Sequence, residues 1–402
     1  MRLIVALALL AVAAGAQPLP FTGVNLAGGE FYGPKRGERP TYGTNFVYPG
    51  NTDYAYFAWH GANLFRVPFR WETIQPEAGG ELDAEMLGRL VHSVELATNK
   101  GYYVLLDPHN YARYYGDLIG SETVSSADFA DFWVRLAGVF GSNPRVWFGL
   151  VNEPNGISAA AWFDIAAEAV TAIRAAGATN LILLPGTAYS GAHSWQSDWY
   201  GGANAAAVGR VVDPLDHMIL EVHQYFDGDS SGTKDEVVSP TIGSERVAGF
   251  VDWCRANGYR ALLGEFGLPR SPEGQATLAD LMASMERDRD VWIGWTWWAA
   301  GSWWPEDYVF LLQPKPGEKP QMSWLLPHLS GDRKPTVTLT IAGVETRELV
   351  CGDQVTLTAP APPAGRAFGR WTGDVAWLAD AAAAETTLTV PYRNLTLGLV
   401  WE

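Results

Sequence analysis

Short apolar runs rich in β-forming residues recur through the first 300 residues, and most are separated by segments with the apolar spacing of helices. Each run is bounded by turn residues, which is typical of buried strands. The eight predicted strands are Phe21–Leu26, Leu64–Phe69, Tyr103–Pro108, Val146–Asn152, Leu181–Gly186, His217–Tyr225, Arg260–Phe266 and Val291–Trp298. The predicted helices are Asp83–Lys100, Ser126–Phe140, Ser158–Ala176, Gly243–Asn257 and Gly274–Arg287.

Continuous apolar strands that alternate with helices predict a parallel sheet buried on both faces. Eight such units favour a closed (β/α)8 barrel, the TIM barrel of the α/β class, over an open doubly wound sheet. No G-x-G-x-x-G motif follows the first strand, as a dinucleotide-binding sheet would require. We therefore predict one barrel domain over residues 17–330.

The pattern changes after Trp324, where turn residues are followed by short strands rich in Val, Thr and Leu. We predict a linker at residues 331–335 and a small all-β accessory domain at residues 336–402. The alanine run Ala381–Ala384 lies between strand-like segments and is too short for a useful helix, so we predict a loop there.

The N-terminus has the pattern of a secretory signal peptide. Arg2 supplies a positive charge, Leu3–Ala14 is apolar, and Ala14-Gly15-Ala16 resembles a cleavage site. A transmembrane anchor is the alternative, but the apolar stretch is well short of the ~20 residues that a spanning helix needs. We predict that residues 1–16 are removed and that the protein is secreted, extracellular or periplasmic.

The composition restricts the partners. The formal net charge is -16 at pH 7, so nucleic acid and anionic membrane surfaces would be repelled. A neutral polymer would not be. We expect no nucleic-acid or membrane partner, and we expect a monomer.

The polar residues at the predicted strand ends indicate chemistry, because active sites of such barrels lie at the C-terminal ends of the strands. Glu153 and Glu265 lie at the ends of the fourth and seventh strands. Retaining hydrolysis of a glycosidic bond needs two carboxyl groups ~5–5.5 Å apart, one as general acid/base and one as nucleophile. A salt bridge to a loop Arg or Lys is the alternative for a single strand-end Glu. The presence of two such glutamates, Glu153 and Glu265, favours a glycosidase.

Other strand-end residues fit supporting roles. Arg66 is placed to reach the nucleophile and lower its pKa. Asn152 is placed to bond the sugar 2-hydroxyl, a contact that strengthens in the transition state. Tyr225 is placed to orient the nucleophile, and His109 and His223 to bind substrate or hold the acid.

A metal site is the other interpretation of Asp107, His109, His223 and the glutamates. The spacing disfavours it, since the sequence has no H-x-H or H-x-x-x-H pair. Asp107 is followed by Pro108, which suits a turn that ends a strand. We predict no metal and no cofactor.

The motifs Asn152-Glu153-Pro154, His223-Gln224-Tyr225 and Gly264-Glu265-Phe266-Gly267 resemble the signature of glycoside hydrolase family five, the large cellulase family. Phe65-Arg66-Val67-Pro68, Asp107-Pro108-His109-Asn110 and Trp297-Trp298-Ala299-Ala300-Gly301 also match. Together these motifs resemble the fungal-type endoglucanase branch of the family, and the resemblance covers roughly residues 21 to 326.

The resemblance implies a retaining endo-β-1,4-glucanase that acts on β-glucan, with Glu153 as acid/base and Glu265 as nucleophile. The supporting residues that it implies are Arg66, His109, Asn110, Asn152, His223, Tyr225 and Trp298. Trp297 is adjacent to Trp298, and strand alternation allows only one of the two to face the mouth. The family also contains mannanases, xyloglucanases and mixed-linkage glucanases. A polysaccharide-binding barrel without catalysis is a further alternative.

Several other aromatic residues are candidates for outer sugar-binding subsites, because sugar rings stack on aromatic faces. They are Trp71, Tyr111, Trp195, Trp199, Trp303 and Trp304. Packing within loops explains them equally well.

Thr336–Glu402 resembles the bacterial repeat domain related to the internalin B-repeats, through residues 368–374 and the final strand Leu395–Trp401. The resemblance implies a small β module and no activity. A carbohydrate-binding module that uses Trp371 and Trp377 is the alternative. We favour the structural role, since so small a module needs a Trp in its own core.

Overall fold

The computed structural model describes residues 17–331, 336–350, 353–390 and 394–402. The predicted signal peptide and residues 332–335 of the predicted linker lie outside these ranges. Within them, no helix combines the length and the apolar character that crossing a membrane requires.

Eight parallel strands form a closed barrel, each paired with its neighbours in chain order and the eighth with the first. The strands are β1 (Phe21–Leu26), β2 (Leu64–Phe69), β3 (Tyr103–Pro108), β4 (Val146–Gly149), β5 (Ile182–Pro185), β6 (Met218–His223), β7 (Ala261–Glu265) and β8 (Trp292–Ala300). The predicted (β/α)8 barrel is confirmed. Strand β4 ends sooner than predicted, so Asn152 and Glu153 lie on the segment that follows it.

The helices cover the outside of the barrel. The longer ones are α1 (Asn51–Trp59), α2 (Ala84–Thr98), α3 (Ser126–Phe140), α4 (Ala159–Ala175), α5 (Ile242–Asn257), α6 (Pro272–Arg287) and α7 (Pro320–Leu325). Two short helices, Trp71–Ile74 and Asn204–Ala207, lie on the segments that follow β2 and β5. Side chains of Asp83, Ser125, Ser158 and Ser271 cap the N-termini of α2, α3, α4 and α6. Helix α1 was not predicted. Its residues 54–58 are all buried, so it lacks the amphipathic spacing that identifies a surface helix.

The barrel interior changes from apolar to charged along the strands. Side chains two residues apart point to the same face of a strand. On β2 the inward residues change from Leu64 to Arg66, and on β3 from Leu105 to Asp107. On β6 they change from Ile219 to Glu221 and His223. The C-terminal end of the barrel therefore carries a buried polar layer above an apolar plug.

The C-terminal module is all-β, as predicted. Its strands are β9 (Thr336–Ile341), β10 (Glu345–Val350), β11 (Gln354–Thr358), β12 (Phe368–Gly373), β13 (Glu385–Thr389) and β14 (Leu395–Trp401). Strands β10, β9, β14 and β12 form a sheet in that order, and β11 pairs with β13. Residues 381–384 form a loop, as predicted.

The module packs on the barrel close to the end of α1. Trp59 packs against the apolar core of the module, and Lys100 Nζ donates to Thr336 O at 3.2 Å. Trp371 is buried in the module core with its indole N–H donated to Ala383 O, so it is not available for stacking on sugar. Trp377 is 39% exposed. The burial of Trp371 supports the structural role.

Candidate active site

Glu153 lies just beyond β4 in a left-handed backbone conformation, with φ 43°. Few non-glycine residues adopt this region, and such residues cluster at functional sites. The Asn155 side chain donates to the Glu153 carbonyl at 3.3 Å, and Pro154 fixes the backbone between them. The Glu153 side chain keeps 15% of its surface exposed, so the carboxyl group can meet a ligand.

Glu265 is the last residue of β7, and its side chain is 5% exposed. Its two oxygens are bound separately: Oε1 accepts from Arg66 Nη1 at 2.9 Å, and Oε2 accepts from the Tyr225 hydroxyl at 3.0 Å. One oxygen of each glutamate and one ring nitrogen of His223 lie within 4.8 Å of one another. The structure thus brings together two carboxyl groups that are far apart in sequence.

Arg66 is the centre of the buried polar layer. Its guanidinium is 1% exposed and contacts Asp107 at 2.8 Å, Glu221 at 2.7 Å and Glu265 at 2.9 Å. Burial opposes its charge, but the three carboxylates outweigh burial and raise the pKa of Arg66. Arg66 therefore stays a cation that fixes the position of the Glu265 carboxylate.

A chain of hydrogen bonds fixes the orientation of Asn152 and His109. Arg66 Nη2 can only donate, so the Asn152 atom at 2.8 Å is Oδ1, and Nδ2 faces His109 Nε2 at 3.2 Å. His109 Nε2 then accepts, which leaves the proton on Nδ1 to be donated to Asp107 at 2.8 Å. Burial opposes the Asp107 charge, yet Arg66 and His109 hold the pKa of Asp107 below its ordinary value.

His223 links the two glutamates. Its Nδ1 lies 2.7 Å from Glu153 Oε1 and 3.6 Å from Glu265 Oε2, and its Nε2 lies 3.5 Å from Glu221 Oε1. Burial disfavours the imidazolium, but Glu265, Glu153 and Glu221 raise the pKa of His223 to about 10. A protonated His223 therefore lies between the two carboxyl groups.

The balance at Glu265 differs from the sequence-based expectation. Burial is the largest influence and raises the pKa of Glu265, although Arg66, as expected, and also His223 act to lower it. Burial and the charge of Glu265 also raise the pKa of Tyr225 well above its ordinary value, so the phenol remains a hydrogen-bond donor.

Glu153, His223 and Glu265 are close enough to share a metal ion, the one such group among the described residues. In the structure these groups are bonded to other side chains: His223 Nδ1 lies 2.7 Å from Glu153 Oε1, and the two Glu265 oxygens accept from Arg66 and Tyr225. The arrangement suits acid–base chemistry between two carboxyl groups.

Trp298 faces the mouth of the barrel, and Trp297 faces away. The Trp298 ring stacks on His109 with a centroid distance of 5.3 Å. Trp297 is fully buried and donates its indole N–H to Phe310 O. Trp304 extends the aromatic surface of Trp298, since it contacts Trp298 edge-on and stacks on Tyr308 at 4.1 Å. Trp303 is half-buried on the same loop.

A cavity of about 490 Å³ opens over Glu153 and His223. Two of the candidate subsite residues, Tyr111 and Trp199, line it together with Tyr225. Tyr189 and Tyr200 also line it, with 51% and 47% of their surfaces exposed. Exposed rings of this size can stack on a sugar chain.

Two of the candidate subsite residues, Trp71 and Trp195, point away from the cavity. Trp71 is fully buried and packs against Tyr114 and Phe132, so it is not an outer subsite. Trp195 is fully buried against Phe250 and Trp253, so it is not one either.

Asn110 holds a loop and contacts neither glutamate. Its Oδ1 accepts from the backbone N–H of Trp71 at 2.9 Å, and its Nδ2 donates to Glu72 at 2.7 Å. Its role in the site is therefore indirect.

Sequence reasoning missed Asn25 and Glu221. Asn25 Oδ1 accepts from Arg66 at 3.0 Å, and its Nδ2 donates to Gly264 O at 2.9 Å. Glu221 Oε1 accepts from Arg66 Nε at 2.7 Å. The available signal was spacing: Glu221 lies two residues before His223, on the same face of β6.

Residues 13–301 match the family described as Cellulase (glycosyl hydrolase family 5), and residues 334–402 match the Divergent InlB B-repeat domain. Endo-beta-1,4-glucanase A of Emericella nidulans is 40% identical over 314 residues, covering 77% of this chain and 91% of that protein.

Two solved structures are also similar. XacCel5A in complex with cellopentaose is 46% identical with a TM-score of 0.75, covering 77% of this chain and 99% of that chain. The endo-beta-1,4-glucanase Xac0029 of Xanthomonas axonopodis pv. citri is 44% identical with a TM-score of 0.75, covering 78% and 99%. With a family match over most of its length, an eight-stranded barrel and two glutamates at its mouth, this chain belongs to glycoside hydrolase family 5.

Proposed function

We propose that this glycoside hydrolase is a secreted, retaining endo-β-1,4-glucanase with Glu153 as general acid/base and Glu265 as nucleophile. The observation that carries the proposal is the approach of one oxygen of each glutamate to within 4.8 Å. Retaining enzymes hold their carboxyl groups ~5–5.5 Å apart, whereas inverting enzymes need ~6.5–9.5 Å to admit a water molecule.

In the first step, a Glu265 oxygen attacks the anomeric carbon, and the bond from that carbon to the leaving oxygen breaks. The Glu153 carboxyl proton passes to the leaving oxygen, which departs as a hydroxyl. Arg66 and Tyr225 hold the two Glu265 oxygens, which orients the carboxylate for attack. The product is a glycosyl ester of Glu265 and a Glu153 carboxylate.

In the second step, the Glu153 carboxylate takes a proton from a water molecule while the water oxygen attacks the anomeric carbon. The ester bond breaks, and Glu265 leaves as a carboxylate. Two inversions at the same carbon give net retention. His223 bonds Glu153 at 2.7 Å and can stabilise its charge after the first step.

The substrate assignment rests on the relatives. Endo-beta-1,4-glucanase A of Emericella nidulans and Xac0029 are endo-beta-1,4-glucanases, and XacCel5A was solved in complex with cellopentaose. The open cavity, with its exposed Tyr189, Trp199 and Tyr200, supports binding of the internal units of a long sugar chain. A mannanase, xyloglucanase or mixed-linkage glucanase would share the same glutamates, so the test must compare glycans.

The purified protein should release reducing ends fastest from carboxymethylcellulose or barley glucan, and slowly from mannan. Proton NMR at early times should show the β-anomer first, ahead of mutarotation. An initial α-anomer would contradict the roles of both glutamates. Turnover confined to mannan or xyloglucan would keep the mechanism and replace the substrate. Binding without release from any glycan would leave a non-catalytic binding protein.

Secretion and a monomeric state are part of the proposal. The charged start, apolar stretch and small-residue cleavage site of residues 1–16 support secretion. Expression of the full chain in a secreting bacterial host should give mature protein that begins near Gln17, as read by N-terminal sequencing. Retention of residues 1–16 would contradict cleavage. Light scattering should give the mass of one chain, and a dimer mass would contradict the monomer.

A further inference from the structure

A second cavity, of about 460 Å³, lies beside the active-site cavity, and Tyr111 lines both. Four basic residues line this second cavity, which we call the basic groove: Lys35, Arg36, Arg70 and Arg113. The whole chain has 28 basic residues against 44 acidic ones. A concentration of cations beside the cleft is therefore a local exception to the charge of the protein.

Neutral groups hold the two arginines at the base of the groove. Arg70 donates to the backbone carbonyls of Glu30 and His109. Arg113 donates from Nη1 to Tyr111 O at 2.9 Å and to Asn155 O at 3.2 Å. Among the residues that the structure describes, neither arginine forms an ion pair. Both guanidinium groups are thus held in position with their charge unneutralised.

The acidic side chains near the groove are fewer than the four basic ones: Glu72 lines it, Asp117 pairs with Arg36, and Glu38 accepts from the Lys35 backbone N–H. Glu72 accepts from Asn110 Nδ2 at 2.7 Å and from the Tyr115 N–H at 2.6 Å, one bond to each oxygen. Asp117 pairs with Arg36 at 3.1 Å across an exposed contact, which contributes little. The lining keeps an excess of positive charge with hydrogen-bond donors, the combination that recognises a carboxylate.

We propose that the basic groove is an anionic subsite that binds the carboxylate of a uronic-acid unit on a glucan whose neutral portion occupies the adjacent cleft. The inference rests on the proposed glucanase function. Because Tyr111 borders both cavities, a sugar chain bound in the cleft can extend directly into the groove. The Debye length is ~10 Å at 0.1 M ionic strength, so these nearby cations dominate over the distant negative charge.

The test compares neutral cello-oligosaccharides with the same oligosaccharides oxidised at some C6 positions to carboxylates. The test variant is Lys35→Gln with Arg36→Gln, since both side chains are exposed and lie outside the core. The control variant, Arg210→Gln with Arg287→Gln, removes the same charge from arginines whose side chains are 49% and 67% exposed elsewhere.

We expect the ratio of kcat/KM on oxidised to neutral substrate to fall on the order of threefold to tenfold in the test variant at low salt. The loss should lie in KM, and added NaCl should reduce it. The control should keep the wild-type ratio. An unchanged ratio in the test variant, or an equal loss in the control, would overturn the subsite. Absence of turnover on the neutral substrate by the wild type would instead reject the glucanase function.

Discussion

The cavities at the two ends of the barrel differ in volume and in the chemistry of the residues that line them. The cavity at the N-terminal end is the larger, at about 760 Å³, and Phe21, Tyr103 and Trp147 line it. Their rings pack edge-on, with Phe21 5.1 Å from Tyr103 and 4.7 Å from Trp147. The cavity at the C-terminal end is about 490 Å³ and contains Glu153, His223 and Tyr225.

Cavity size therefore does not identify the reacting end. The N-terminal end has a buried pair too, Arg174 with Asp213 at 2.7 Å; burial opposes the Asp213 charge, but Arg174 and two backbone N–H groups outweigh burial and lower the pKa of Asp213. At the C-terminal end, one arginine is shared among three carboxylates, and the pKa values of His223 and Glu265 are displaced. Convergent, perturbed groups mark the functional end.

The largest effect should come from removing the proposed nucleophile. We expect Glu265→Ala to fold normally and to lose on the order of 10³-fold or more in kcat, since no other group supplies the attacking oxygen. Azide should restore part of the activity and yield the α-glycosyl azide, because a small anion can attack from the vacated face. Circular dichroism supplies the folding control, and near-wild-type turnover by the variant would reject the assignment.

A direct comparison of the two ends is possible through their buried arginines. Arg66→Met leaves Asp107, Glu221 and Glu265 without their shared cation, so we expect a loss of about 3–5 kcal/mol in unfolding free energy together with loss of turnover. Urea unfolding and kcat at a temperature where the variant is folded measure the two effects.

The matched control is Arg174→Met at the N-terminal end, where both side chains of the Arg174–Asp213 pair are at most 4% exposed. We expect a comparable or smaller destabilisation with unchanged turnover per folded molecule. Equal loss of turnover in both variants would show that the charged layer is structural only, and the contrast between the ends would fail.

A smaller, pH-dependent effect should come from His223. Its pKa is about 10 in the folded protein against an ordinary value of 6.5, so its charge stabilises the fold fully below pH 6.5. That contribution is lost as the pH rises towards 10. The difference in Tm between the wild type and His223→Gln should therefore be largest near pH 6 and shrink towards pH 10.

The control for this series is His217→Gln, because His217 is exposed and lines the N-terminal cavity. Its Tm curve should run parallel to that of the wild type. A constant difference between the wild type and His223→Gln across the range would contradict a charged His223 between the glutamates.

The sequence predicted the barrel and most of the charged layer because polar residues follow apolar runs at the strand ends. Glu221 and Asn25 were missed because each lies inside a run that was judged by its apolar neighbours. Whether these two side chains point into the barrel depends on strand register. Pairing with the neighbouring strands sets that register, and the sequence of one strand does not reveal it. Helix α1 was missed because its burial on all sides removes the helical pattern.

The local sequence does not determine which aromatic side chains face the cleft. Trp71 and Trp199 both lie on segments that follow strands, yet one is fully buried and the other is 48% exposed. Nothing in the local sequence states which side of the loop faces the cleft. Only the packing of Trp71 against residues of α3 and the loop before it decides the question.

The smallest effect should come from removing the C-terminal module. Among the described residues, every side chain that contacts the two glutamates belongs to the barrel domain. A chain ending at Gly331 should therefore fold and keep its rate on soluble glucan within about twofold. Gly331 still donates to Gly61 O at 2.7 Å, which holds the new end of the chain. Loss of soluble turnover in a folded truncated chain would contradict this independence.

Truncation should also lower the stability of the protein while leaving its binding to insoluble cellulose unchanged. Truncation exposes the surface of Trp59 that packs on the module, and at about 25 cal/mol per Å² the cost should be a few kcal/mol at most, read as a lowered Tm. Pull-down on cellulose should be equal for the two forms, because Trp371 lies inside the module core. A large loss of pull-down with unchanged soluble turnover would make the module a binding domain. The variant Trp377→Ala in the full chain would then show whether its exposed ring is the contact.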